Sequence, residues 1–171
     1  MDPIGQPRVV IGPSGAGKST LAGAFAEAHG DSFQLVRTHT TRPRRPGETG
    51  THVFLSRQDF DRADYLGTLE LFGARYGLPR FGGTRTALIV LRQAALAQLA
   101  ALFPQARIIQ VEAPPQVLVA RLEARGDRDR ADPAALDRET RAGRAAAHAI
   151  VRTDQPFARA LADFTGLALD G

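Results

Sequence analysis

The chain opens its regular patterning with Arg8-Val9-Val10-Ile11, a β-branched apolar run that stops at Gly12. Such a run, short and apolar on both faces, predicts a buried parallel strand. A glycine-rich turn follows over Gly12–Gly17. Then Leu21, Ala24, Phe25 and Ala28 recur at helical spacing, which predicts a helix over 19–29 with Gly30 as its C-cap. Strands are predicted at 33–36, 51–55, 86–91 and 107–111. Residues 38–50, rich in proline, glycine and polar side chains, read as a loop. Ser56 is placed to cap a short helix over 57–63. Residues 65–80 break into four strand or turn pieces around Gly67, Gly73 and Gly77. Further helices are predicted at 93–103, ended by Pro104, and at 115–125, 134–148 and 157–164.

Strands alternating with helices argue for a parallel sheet covered on both faces, joined by right-handed crossovers. At 171 residues the chain suits a single domain with small insertions. Cysteine is absent, which excludes a disulfide framework, a thiolate metal site and a cysteine nucleophile. No apolar run approaches membrane-spanning length, and no leader pattern precedes the first strand, so a cytoplasmic setting is expected. The formal net charge is +4. Lys18 is the single lysine, so nearly all the positive charge is arginine, whose planar fork suits phosphate and carboxylate. No basic stripe is interleaved with aromatics, so neither nucleic acid nor membrane is an expected partner. The four histidines lack metal-ligand spacing.

The one lysine lies in Gly12-Pro13-Ser14-Gly15-Ala16-Gly17-Lys18-Ser19, which fits G-x-x-x-x-G-K-[ST]. Glycines allow the backbone to fold into a nest of N–H donors around an anion. The following helix points its positive end at the same place. Lys18 supplies a cation for the β- and γ-phosphates, and Ser19 a hydroxyl for Mg²⁺. The candidate ATP-binding residues are Gly12, Pro13, Ser14, Gly15, Ala16, Gly17, Lys18, Ser19 and Thr20, with ATP as co-substrate and Mg²⁺ as cofactor.

A second phosphate site is predicted in Thr40-Thr41-Arg42-Pro43-Arg44-Arg45-Pro46-Gly47-Glu48, where forked donors suit a phosphate monoester. Together with the glycine-rich loop, this T-T-R-x-x-R-P-G-E segment resembles the guanylate kinase family. So do Phe72-Gly73-Ala74-Arg75-Tyr76-Gly77-Leu78-Pro79, Val111-Glu112-Ala113-Pro114-Pro115, Arg121-Leu122-Glu123-Ala124-Arg125-Gly126 and Val151-Arg152-Thr153-Asp154, in the same order along the chain. The resemblance implies an α/β P-loop kinase fold of three layers, with a parallel sheet, an acceptor-binding insertion and a lid. It implies one domain over 1–171, with core 7–37 and 86–171, acceptor-binding region 38–80 and lid about 125–144. It places Arg42, Arg45 and Tyr76 on the acceptor phosphate, and Lys18 with Arg125 and one of Arg138 or Arg141 on the transferring phosphoryl group. It also implies a monomer or homodimer.

The sequence departs from that family in the acceptor site. His52 stands near the family's strand tyrosine. Thr38 matches the guanine-reading hydroxyl, but Gly67 falls where the guanine-reading glutamate belongs, with Glu70 three residues on as the substitute. Leu91-Arg92-Gln93-Ala94 replaces the family's D-x-Q-G. Two enzyme functions are therefore expected, in order: transfer from ATP to GMP, or the reaction of the similar ribose 1,5-bisphosphate phosphokinases. A non-catalytic nucleotide-binding module is the third reading.

Overall fold

The structure is a computed structural model that describes residues 6–46, 48 and 50–170. Gly47 and Thr49, part of the predicted phosphate-site loop, lie outside the described residues. A five-stranded, all-parallel sheet has the order β2 (Phe33–Val36), β7 (Thr86–Val90), β1 (Arg8–Ile11), β8 (Arg107–Glu112), β9 (Ala149–Arg152). Alternation along β1 assigns its side chains to two cores. Val10, with Leu88, Val90, Ile109 and Val111, faces Leu21 and Phe25 of α1 (Lys18–Ala28), Leu118 and Leu122 of α4 (Pro115–Ala124) and Phe164 of α6 (Phe157–Leu169). Val9 and Ile11, with Ile89, face Leu96 of α3 (Leu96–Leu102) and Leu78. Helices on both faces give the three layers expected from the alternation of strands and helices.

A smaller, four-stranded sheet, in the order β4 (His52–Phe54), β3 (Thr38–Thr40), β6 (Ala74–Pro79), β5 (Tyr65–Leu71), rises from one end of the first. Here the sequence expectation needs correction. Residues 38–40, predicted as loop, form the inner strand β3, pairing parallel with β4 and antiparallel with β6. Thr38 and Thr40 are buried there, their polar side chains satisfied locally rather than marking solvent exposure. The four pieces expected over 65–80 are one hairpin, β5–β6, turned at Phe72-Gly73.

Other boundaries shift less. Strand β9 was not expected, because its pattern (Ala149, Ile150, Val151, Arg152) buries only Val151 fully. It adds to the edge of the sheet through parallel pairing with β8. Helix α1 runs 18–28 and is closed by His29, whose N–H donates to the Phe25 carbonyl, so Gly30 is not the cap; Ala28 is exposed. Helix α6 continues to Leu169, held by Arg8, whose Nε donates to the Ala168 carbonyl at 2.8 Å. The short helix α2 (Arg57–Arg62) begins as predicted at Ser56, which accepts from the Asp59 N–H at 3.0 Å and donates to its carboxylate at 2.6 Å. Asp132 and Pro133 likewise start α5 (Pro133–Ala146).

Candidate active site

The glycine-rich loop joins β1 to α1 at the carboxyl ends of the parallel strands, where open α/β sheets bind ligands. Gly12 has φ 147°, and a Cβ there would lie 2.0 Å from the Val111 carbonyl oxygen. The loop therefore passes directly over β8. Gly17 adopts φ 92° immediately before the helix, a conformation that L side chains avoid. The loop is braced from behind. Arg121 donates to the Gly15 carbonyl at 3.2 Å, to the Thr153 hydroxyl at 2.9 Å and to its carbonyl at 2.6 Å; the Thr153 hydroxyl donates to the Ala16 carbonyl at 2.8 Å. Thr153 is held at this spot because its N–H continues the β9–β8 pairing to the Glu112 carbonyl.

Lys18 curls over the loop and donates to the carbonyls of Gly12 and Pro13, at 2.7 and 2.8 Å. Withdrawal from solvent pushes its pKa down to about 7. Arg92, Arg125 and Arg130 push the same way, and Glu139 opposes them. An ammonium in so positive a field gains strongly from an arriving polyanion. Ser19 is exposed, and its hydroxyl shares a 2.9 Å hydrogen bond with that of the buried Thr51.

One cleft of about 970 Å³ runs from this loop to the smaller sheet. On the loop side it is lined by Ser14, Gly15, Gly17, Lys18, Ser19 and Thr20, while Gly12, Pro13 and Ala16 form the layer beneath. On the sheet side it meets Thr38, Arg42, Arg45, His52 and Tyr76. The structure thus brings together the two predicted phosphate sites. Glu48 chelates Arg42 with both oxygens, at 2.5 and 2.9 Å, and accepts the Arg45 N–H at 3.1 Å. Burial alone would raise the Glu48 pKa; the hydrogen bonds from Arg42 and Arg45, with the nearby charges of Arg42 and His52, bring it down to about 2. The Arg42 guanidinium also lies over the Phe54 ring, 5.3 Å from its centre. Arg45 reaches Asp127 at 3.2 Å, and Arg125 binds the same oxygen at 2.8 Å. His52 shares a 2.6 Å hydrogen bond with the Thr38 hydroxyl; burial and then the Arg42 charge lower its pKa, favouring the neutral ring.

Three predicted residues are not brought into the cleft. From β5 the cleft wall takes Gly67, Thr68, Leu69 and Leu71, with Leu69 opposite Tyr76. Glu70, opposite Arg75, is exposed and absent from that wall. Arg138 and Arg141 are exposed on α5, Arg141 pairing with Asp137 one turn back at 2.8 Å. In their place Arg130 and Arg92 line the cleft. Arg130 has no spacing signal among the many arginines of that stretch. Arg92 had one: it follows a buried parallel strand, and the carboxyl ends of such strands form the site. Gln98 was also missed; it lines the cleft, and its Oε1 would sit 3.5 Å from a Cβ at Gly67.

Residues 8–150 match the family described as AAA domain. A ribose 1,5-bisphosphate phosphokinase of Brucella melitensis is 35% identical over 137 residues, covering 74% of this chain and 71% of the relative. A guanylate kinase of a Synechococcus species is 35% identical over 142 residues, covering 75% of this chain and 76% of the relative. The chain belongs to the guanylate kinase-like P-loop kinases. The crystal structure of guanylate kinase from Anaplasma phagocytophilum has the same fold, with a TM-score of 0.69 at 18% identity, over 96% of this chain and 85% of that one. Members of this family are phosphotransferases, and the cleft of this chain runs from the glycine-rich loop to the wall that carries Arg42, Arg45 and Tyr76. Among the described residues, no helix is long and apolar enough to cross a membrane, and no cluster of histidine, aspartate and glutamate could hold a metal ion by itself.

Proposed function

We propose that the protein transfers the γ-phosphoryl group of ATP to a phosphate oxygen of a small phosphorylated acceptor. The observation that carries this reading is the single cleft with Lys18 on one side and Arg42, Arg45 and Tyr76 on the other. An acceptor phosphate oxygen bonds to the γ-phosphorus as the bond from that phosphorus to the β–γ bridging oxygen breaks, and the electron pair leaves with ADP. The attacking oxygen is already anionic, so the protein needs no general base; its work is positioning and charge stabilisation. Lys18 meets the donor phosphates, Arg42, Arg45 and Tyr76 hold the acceptor phosphate, and Arg125 reaches over them from the lid. Mg²⁺ prefers oxygen ligands and commonly retains water and substrate phosphates. The hydroxyl of Ser19, steadied by Thr51, fits such an ion arriving with ATP, and the ion would neutralise charge on the β- and γ-phosphates. ATP as co-substrate and Mg²⁺ as cofactor suit a cytoplasmic enzyme.

GMP is the first acceptor implied by the arginine loop. One observation favours ribose 1,5-bisphosphate instead. The residues of β5 that line the cleft are Gly67, Thr68, Leu69 and Leu71, which offer one hydroxyl but no carboxylate for the ring N–H and amino group of guanine, and Glu70 is absent from the lining. A buried site that reads guanine needs those acceptors to discriminate. Measuring kcat/KM for ribose 1,5-bisphosphate, GMP and AMP with ATP and Mg²⁺ tests the reading. Preference for the sugar bisphosphate is expected. A large preference for GMP over AMP would restore the first acceptor. ATP binding without turnover of any acceptor would leave a nucleotide-binding module.

A further inference from the structure

Phe72 breaks two rules at once. It is the only residue other than glycine with positive φ among the described residues, at 51°, and it is a large apolar side chain 67% exposed. With Gly73 at φ 72° it forms the two-residue turn of the β5–β6 hairpin, a position where asparagine, aspartate or glycine is the ordinary choice. Neither propensity nor burial accounts for phenylalanine here. Its neighbours do: the Arg92 guanidinium lies 5.2 Å from the ring centre and that of Arg130 lies 5.1 Å from it. These arginines come from different places, one from the end of β7 in the core, the other from the turn between α4 and α5. Both line the cleft that holds Lys18.

Arg92 is loosely held apart from that ring. Its nearest carboxylate, Glu139, is 3.4 Å away, longer than a good charge-assisted hydrogen bond. It follows Leu91, buried at the carboxyl end of β7, so its backbone is anchored beside the phosphate loop while its fork remains available. The positive fields of Arg92 and Arg130 both reach the Lys18 ammonium.

On the reading that this is a phosphotransferase, we propose that Arg92 is a catalytic residue, a core-borne guanidinium that contacts the transferring phosphoryl group, and that Phe72 is a positioning residue that holds Arg92 and the lid residue Arg130 in the cleft. A guanidinium on a rigid strand end stabilises charge on the equatorial oxygens without waiting for a segment to close. The hairpin carrying Phe72 also carries Tyr76 and Leu69, so the tip that aligns the two arginines belongs to the acceptor sheet. Strain at a left-handed residue of this kind persists where surrounding contacts enforce it, commonly at functional sites.

The test is steady-state kinetics with ATP, Mg²⁺ and each acceptor, together with melting temperatures. Arg92→Ala is expected to lower kcat by about 100-fold or more, as for loss of a transition-state charge contact. Phe72→Ala is expected to lower kcat about tenfold while both KM values stay within about twofold, with Phe72→Tyr close to wild type. Phe72→Asn separates positioning from structure: it suits the turn and is expected to raise the melting temperature while losing rate as the alanine variant does. Native kcat in Phe72→Ala or Phe72→Asn, or in Arg92→Ala, would overturn the proposal while leaving the kinase reading intact. Absence of turnover in the wild-type protein with any acceptor would overturn the kinase reading, and this proposal with it.

Discussion

Glu48 grips Arg42 by both terminal nitrogens, at 2.5 and 2.9 Å, on a wall of the cleft that also carries Arg45 and Tyr76. The fork is thereby presented in one orientation, against the Phe54 ring, and on the proposed function an acceptor phosphate would meet a preorganised donor. Arg42→Ala is expected to raise the acceptor KM by the equivalent of about 1.5–3 kcal/mol and to leave ATP binding nearly unchanged. Titrating each substrate separately checks it; a loss confined to ATP would assign the loop to the donor side.

The same pair predicts a pH dependence. The Glu48 pKa is depressed in the folded protein, so its contribution to stability is complete above the unfolded value, about 4.3, and is lost as pH falls toward about 2. Glu48→Gln is expected to melt lower than wild type at pH 7, with the gap narrowing across that acid window. Melting curves from pH 7 to pH 2 measure it.

Lys18 has the opposite sign. Its folded pKa, about 7, lies below the unfolded value of about 10.4, so the unfolded chain binds more protons between those limits and this group's effect on stability improves as pH rises. Lys18→Met is expected to be more stable than wild type at pH 6, the difference shrinking toward pH 10. The variant is expected to lose on the order of 10²-fold or more in kcat, because the lost cation meets charge in the transition state. A stable variant with native turnover would remove Lys18 from the mechanism.

Gly12 cannot accept a side chain. A methyl group there meets the Val111 carbonyl oxygen at 2.0 Å, and moving that carbonyl means prying β1 from β8. Gly12→Ala is expected to cost about 3 kcal/mol or more in a denaturant titration.

Glu70 serves as the internal control. It lies on β5 opposite Arg75 and is absent from the cleft wall, so Glu70→Gln is expected to leave kcat/KM for every acceptor within about twofold. Loss of a GMP preference in that variant would show that the hairpin pairs in a different register in solution.

Patterns that depend on neighbours in the chain were legible from sequence alone. The β-branched run at Arg8–Ile11 and the glycines that follow specify a strand, a tight turn and a helix, because backbone sterics and hydrogen bonding act locally. Residues 38–40 were not legible, since a polar threonine-rich segment becomes an inner strand only when β4 and β6 pair with it from either side. Which face each β5 residue presents depended on hairpin register, and one step of register separates Glu70 from Leu69 in the cleft. The arginines were the hardest case. Twenty-one side chains of one chemistry are interchangeable along the sequence, and only the fold selects among them: it turns Arg138 and Arg141 to solvent, brings Arg125 and Arg130 over the cleft, and sets Arg92 beside Lys18, because long flexible side chains take their place from the packing of distant elements rather than from their own neighbours.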